Sequence, residues 1–138
     1  MSEKIRQASE YFDTGMNCAQ SVLGTFCEDY GLDRDIAFRI SCGLGSGARC
    51  AEICGAVSGP VLVIGLKYGT EREKCNLETE EFIKRFKAEN VDVTCKNLLG
   101  CDVTTPDGRE KAVTEMLFDT KCVELVENAT QILVDMGY

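Results

Sequence analysis

The sequence predicts an all-α protein, a compact single-domain bundle of about six helices over residues 1–138. Three features carry that expectation. Apolar residues recur three and four apart almost throughout. Asn, Asp or Thr precedes several of those runs and Gly follows several, as helix caps and stops do. No segment shows convincing two-residue alternation, although Val61 to Leu66 admits a reading as strand. A chain of 138 residues is long enough to bury a core without cross-links. It has no linker, repeat or low-complexity tract.

The elements follow in order. Residues 4–13 place Ile5, Ala8, Tyr11 and Phe12 on one face. Asn17 reads as the N-cap of a helix over 18–30, with Ala19, Val22, Leu23, Phe26 and Tyr30 apolar and Gly31 as its stop. Asp33 caps a third helix through Ile36, Ala37 and Ile40, interrupted by the glycine-rich loop Gly43-Leu44-Gly45-Ser46-Gly47. Residues 51–68 read as a buried helix ending near Gly69. Its small residues Gly55-Ala56-Val57-Ser58-Gly59 permit close backbone approach, either within the chain or across a homodimer. Pro60 predicts a kink or break. Thr79 to Asn90 reads as an exposed amphipathic helix around Phe82, Ile83 and Phe86. Thr94 caps a short helix, Cys95 to Leu99, closed by Gly100. Pro106 and Asp107 open another that runs to about Phe118. Asp119 or Thr120 caps the last, with Cys122, Val123, Leu125, Val126, Ala129, Leu133 and Met136 apolar.

Composition narrows the function classes. With 15 basic and 23 acidic residues the net charge is −8. Phosphate backbones are repelled, and no basic patch or aromatic platform offsets this, so nucleic acid is not an expected partner. The acidic surface suits docking to a redox partner protein. The start of the chain is charged and lacks an apolar signal core, and no run has the length of a membrane span. A cytoplasmic, reducing compartment is the expected setting, where structural disulfides are rare.

Nine cysteines and no histidine are the chain's most telling feature. An odd count prevents complete internal pairing, and the missing histidine removes both the commonest co-ligand and the usual base for a Cys nucleophile. Cys18, Cys95 and Cys122 follow predicted caps, and Cys54 sits near the start of the small-residue helix. Four thiols are thus expected in first turns of four helices. There, free N–H groups and a partial positive charge favour thiolate and donate to metal- or cluster-bound sulfur. Cys27 and Cys75 read as structural or incidental. Cys50 and Cys54 share a face if one helix includes both. Cys42, Cys50 and Cys101 stand as reserve ligands. There is no C-x-x-C, so neither a zinc ribbon nor a thioredoxin-type site is indicated, and no ferredoxin ligand run occurs. Any shared site must collect its sulfur from distant segments, as a bundle core does.

Gly43 to Ala48 matches the dinucleotide pattern G-x-G-x-x-A, but its βαβ setting is missing because residues 35–42 read as helix. Glu71, Glu73, Glu80 and Glu81 read as solvated charges rather than an acid/base pair. Arg49, beside the glycine loop, reads as a surface arginine before an anion contact.

The segment Cys54-Gly55-Ala56-Val57-Ser58-Gly59 fits the motif C-G-A-x-x-G and resembles the redox-active C_GCAxxG_C_C family. The resemblance covers nearly the whole chain. It takes in Gly15 to Val22 upstream, and Cys95-Lys96-Asn97-Leu98-Leu99-Gly100 and Cys122 downstream. It maps the family's cysteines onto Cys18, Cys54, Cys95 and Cys122. Cys27, Cys42, Cys50 and Cys75 are additional to that pattern, and Cys101 recurs in some relatives. The resemblance implies redox activity and association with oxidoreductases and transporters. A similar domain occurs in split-Soret cytochromes, which carry an iron–sulfur centre beside their haems. This chain has no C-x-x-C-H, so only the cluster half of that comparison transfers.

The leading expectation is therefore a redox protein, with an oxidoreductase activity left open. It binds an iron–sulfur cluster through Cys18, Cys54, Cys95 and Cys122 and serves electron transfer or small-molecule redox chemistry. A metal-free thiol–disulfide or persulfide protein is the alternative, with Cys54 attacking and a neighbour such as Cys50 resolving. A third reading is a thiolate carrier of zinc or cuprous copper.

Overall fold

Caps and turns set most boundaries of the computed structural model, which describes residues 2–138; Met1 lies outside the described residues. Helix α1 spans Glu3–Asp13, its Ile5 N–H held by the Ser2 hydroxyl. Helix α2 spans Cys18–Phe26 and passes into a 3₁₀ turn, Cys27–Tyr30, that stops at Gly31. Helix α3 is Arg34–Ile40, capped by Asp33. Helices α4, Gly55–Tyr68, and α5, Arg72–Asn90, form the long central pair. Short α6, Cys95–Leu99, and α7, Pro106–Thr114, lead to α8, Lys121–Asp135. The protein is all-α, with eight α-helices rather than about six, and no strand among the described residues.

One core lies between α2, α4, α5 and α8. Leu23, Phe26, Val57, Ile64, Phe82, Phe86, Leu125 and Leu133 are buried in it. A smaller cluster, Cys95, Leu99, Val103, Ala112 and Cys122, packs beside it. The close approach expected of the small-residue helix occurs within the chain. A Cβ on Gly55 would lie 2.6 Å from the Ala19 amide nitrogen and 2.9 Å from the Cys18 Cβ. Only a hydrogen side chain lets the starts of α2 and α4 touch.

Four expected boundaries need correction. The helix read as 51–68 begins at Gly55, because the Cys54 backbone is extended and caps it. Pro60 neither breaks nor ends α4. A proline in a helix interior costs about 3 kcal/mol. Buried Val57, Val63 and Ile64 each return about 1.5–3 kcal/mol on the same helix. Helix α5 starts at Arg72 rather than Thr79. Its first two turns are charged, and Leu77 is exposed there, so no apolar stripe marks them. Helix α7 ends at Thr114, short of Phe118, where Met116 turns the chain at φ 56°. The dinucleotide pattern stands rejected, since helix α3 precedes the glycine loop.

Asn17 ties α2 to that loop. Its carbonyl oxygen accepts from the Gln20 N–H at 2.8 Å, and the Gln20 side chain accepts from the Asn17 N–H at 2.9 Å. The Asn17 amide donates to the carbonyls of Ser41 and Cys42 at 3.3 and 3.0 Å. Asn17→Ala removes the cap and leaves carbonyls underserved. It is expected to cost about 1–2 kcal/mol by urea denaturation. An unchanged midpoint would deny the cap this role.

Candidate thiol site

The four cysteines singled out by position come together. Cys18 opens α2, Cys54 caps α4, Cys95 opens α6, and Cys122 lies in the first turn of α8. All four line one cavity of about 340 Å³. Phe12, Leu98, Leu99, Phe118 and Leu125 form its apolar wall, and Gly45, Ser46 and the exposed Arg49 and Arg109 also line it.

Local backbone chemistry explains the convergence. The Cys54 N–H donates to the Val93 carbonyl at 2.9 Å, and the Cys95 N–H donates to the Glu52 carbonyl at 2.6 Å. These bonds flank an antiparallel bridge between Ile53 and Thr94, holding two cysteine-bearing segments side by side. A Lys96–Glu52 ion pair at 3.0 Å joins the same segments. Asp92 organises the approach to Cys95. Its carboxylate accepts from the N–H groups of Val93 and Thr94 and from the Asn97 amide, which holds its pKa down to about 2. Thr94, expected to cap α6 through its side chain, instead donates its hydroxyl to Asp92. Cys122 is seated by its N–H bond to the Leu117 carbonyl, 3.0 Å.

The glycine loop forms the cavity rim in an unusual conformation. Ser46, Gly47, Ala48, Arg49 and Ala51 all have positive φ, between 51° and 64°. A Cβ on Gly47 would stand 2.5 Å from the Glu52 nitrogen and 3.0 Å from the Cys95 Cβ, so glycine alone fits. Left-handed backbone costs non-glycine residues about 1–2 kcal/mol each, and such strain concentrates at functional sites. The same segment separates Cys50 from Cys54. Residues 47–51 are not α-helical and α4 starts at Gly55, so the two cysteines do not share a helix face.

The thiols are electrostatically distinct. Cys18 neighbours both Cys122 and Cys54. Those two thiols, then burial, hold its own thiol protonated well above the ordinary value. The Cys18 thiol lowers the pKa of Cys54, with the Ala56 N–H adding to it at 3.4 Å. Burial, then the neighbouring sulfurs of Cys54, Cys122 and Cys101, pushes Cys95 up to about 12. The lowered pKa expected at every helix start is therefore seen at Cys54 and reversed at Cys18 and Cys95. The dipole of one short helix does not match desolvation among like groups.

A titration follows. In reduced, metal-free protein, Cys54 is expected to alkylate with a midpoint below the ordinary thiol value of 9.0, and Cys95 only toward 12. Mass-resolved iodoacetamide labelling against pH checks this. Equal rates at the two sites at neutral pH would contradict it.

The other cysteines sit elsewhere. Cys27 is buried in the main core and its thiol points to the Gly24 carbonyl, while Cys75 packs partly buried against the same core. Cys42 and Cys50 are exposed and do not line the cavity. Cys101 lies beside the smaller cluster, near Cys95 but off the cavity wall. Sequence reading missed Asp92 and Arg109. The Asp-x-Thr pattern before Cys95 is a turn signal that would have pointed to the first. Nothing local marks the second.

One family model, described as "Putative redox-active protein (C_GCAxxG_C_C)", matches residues 16–136. The chain belongs to the C_GCAxxG_C_C family. No curated protein and no solved structure gives a match. In this C_GCAxxG_C_C protein the matched region contains all four cavity cysteines and both segments joined by the Ile53–Thr94 bridge.

The donor chemistry suits a thiophilic guest: four soft sulfur ligands, apolar walls, and no carboxylate on the cavity wall. Among the described residues, no three His, Cys, Asp or Glu side chains are grouped as ligands of a single metal ion. Among them also, no helix is long and apolar enough to cross a membrane.

Proposed function

We propose that this C_GCAxxG_C_C protein binds an iron–sulfur cluster through Cys18, Cys54, Cys95 and Cys122 and works in electron transfer or small-molecule redox chemistry. The carrying observation is the meeting of these four cysteines, from four helix starts, around one cavity. A cluster spreads its thiolate ligands over two or more irons, so they need not close on one point. That favours a cluster over a lone zinc or cuprous ion, for which the thiols would have to draw inward. A bound cluster would supply a one-electron carrier. The chain's part is to hold the sulfurs, exclude water with Phe12, Leu99 and Phe118, and donate backbone N–H groups from the helix starts. The setting is a reducing cytoplasm and the counterpart a redox partner protein.

Anaerobic isolation followed by iron, acid-labile sulfide and absorption measurement tests this. The expected sample is coloured, contains both elements in comparable amounts, and bleaches on reduction. A colourless sample free of iron and sulfide would sink it.

One observation favours a second reading, a metal-free dithiol. The thiol in contact with the low-pKa Cys54 belongs to Cys18, not Cys50. Loss of two hydrogens from this pair would form a disulfide, passing two electrons to an oxidised thiol partner. It predicts a reversible loss of two free thiols, abolished by Cys18→Ala.

A further inference from the structure

The thiol cavity carries a charge pattern opposite to that of the molecule. The chain's net charge is −8, with 23 acidic residues, yet no carboxylate lines the cavity and two arginines do. Arg49 and Arg109 are exposed, and neither takes part in any ion pair found among the described residues. Arg34, Arg39, Arg6 and Arg85 each meet an acid, while Arg72, away from the cavity, has no ion pair either. What sets the cavity apart is that two exposed guanidinium groups without ion pairs line it and no carboxylate does.

Both are placed rather than free. Arg49 is carried by the strained rim and donates to the Ser46 hydroxyl at 3.2 Å. Arg109, on α7, stacks over Phe118 with its guanidinium carbon 5.5 Å from the ring centre. Each contact holds one part of a guanidinium while leaving most of its N–H donors open. A guanidinium presents paired donors that match the oxygens of carboxylates and sulfur oxyanions. An anion nearing this molecule is repelled by the net charge, except where positive groups face solvent without acids beside them.

We propose that the cavity mouth between Arg49 and Arg109 binds a small oxyanion, a carboxylate or sulfur oxyanion, and presents it to the cavity thiols. The inference rests on the cavity being the working site and names the ligand class for it, whichever sulfur chemistry operates.

Calorimetric titration of the anaerobically isolated full-length protein with oxalate and with sulfate tests this, oxamide serving as the neutral comparator. Oxalate, sulfate or both are expected to bind, and oxamide is not. Preference for oxalate identifies a carboxylate ligand, and preference for sulfate a sulfur oxyanion. Arg49→Gln and Arg109→Gln should each weaken binding by about tenfold or more, with partial rescue by Arg109→Lys. Both positions are exposed, so melting curves should stay unchanged and separate lost binding from lost folding. Absence of anion binding in the unaltered protein overturns the inference. So does binding that the glutamine variants leave intact, including the case where they alter only redox potential or thiol reactivity. Iron and sulfide content of the same samples reads the cluster proposal separately. An iron-free protein that still binds oxalate through these arginines sinks that proposal alone.

Discussion

Replacing Cys54 with alanine is expected to remove iron and acid-labile sulfide while leaving the bundle folded. Cys54 is the cavity thiol with the lowered pKa, in contact with the Cys18 thiol, and its neighbour across the Ile53–Thr94 bridge carries Cys95. Altering groups that merely support ligands costs 10–100-fold in metal affinity, so losing a ligand itself should lower bound iron by at least about tenfold. The folding cost is smaller. The Cys54 sulfur caps only the Ala56 N–H, at 3.4 Å, and a lost cap costs about 1 kcal/mol. Cys27→Ala is the opposite case. It removes a buried core thiol, so it should lower stability and retain the iron. Analysis of metal, sulfide and circular dichroism on both variants, beside Cys18→Ala, Cys95→Ala and Cys122→Ala, checks the set. Full iron retention in all four cavity variants would refute the ligand assignment.

Gly55→Ala is expected to destabilise the fold and disturb the cavity together. Helix propensity alone argues for the reverse, since alanine is favoured over glycine by about 1 kcal/mol inside a helix. The new methyl, however, would stand 2.6 Å from a backbone nitrogen of α2. Backbone cannot swing aside as a side chain does, so α2 and α4 must separate. Overpacking of this kind costs about 1–3 kcal/mol, and here the upper end applies. The net loss should appear as a lower denaturation midpoint with an unchanged slope. Because Cys18 and Cys54 flank the same contact, the influence of Cys18 on Cys54 should weaken, raising the Cys54 pKa toward the ordinary thiol value. A more stable Gly55→Ala variant would show that the approach of α2 and α4 is slack.

Helices α1, α2 and α8 were legible because their apolar faces repeat; α2 also starts on a recognisable cap, the Asn17–Gln20 reciprocal pair. The start of α5 was not legible, because Arg72 to Glu78 is held by helix-forming charged residues with no buried stripe. At the site, helix starts and family motif selected the same four cysteines. The short sequence interval between Cys50 and Cys54 suggested a shared face that left-handed backbone at residues 46–49 and 51 removes. The thiol pKa pattern was also out of reach, since it depends on which sulfurs face each other rather than on each one's own helix.

The sequence by itself determined the helical class, the caps Asn17 and Asp33, the sulfur-rich and histidine-free chemistry, and the cysteines that open helices. These are local or compositional properties, written within a few residues of each position. Only the tertiary structure decided that four cysteines far apart in the chain line one cavity, that Cys18 rather than Cys50 meets Cys54, and that two unpaired arginines guard the opening. Those outcomes depend on how closely helices pack and on what burial does to neighbouring groups. Both are set by pairs of residues that no local pattern relates.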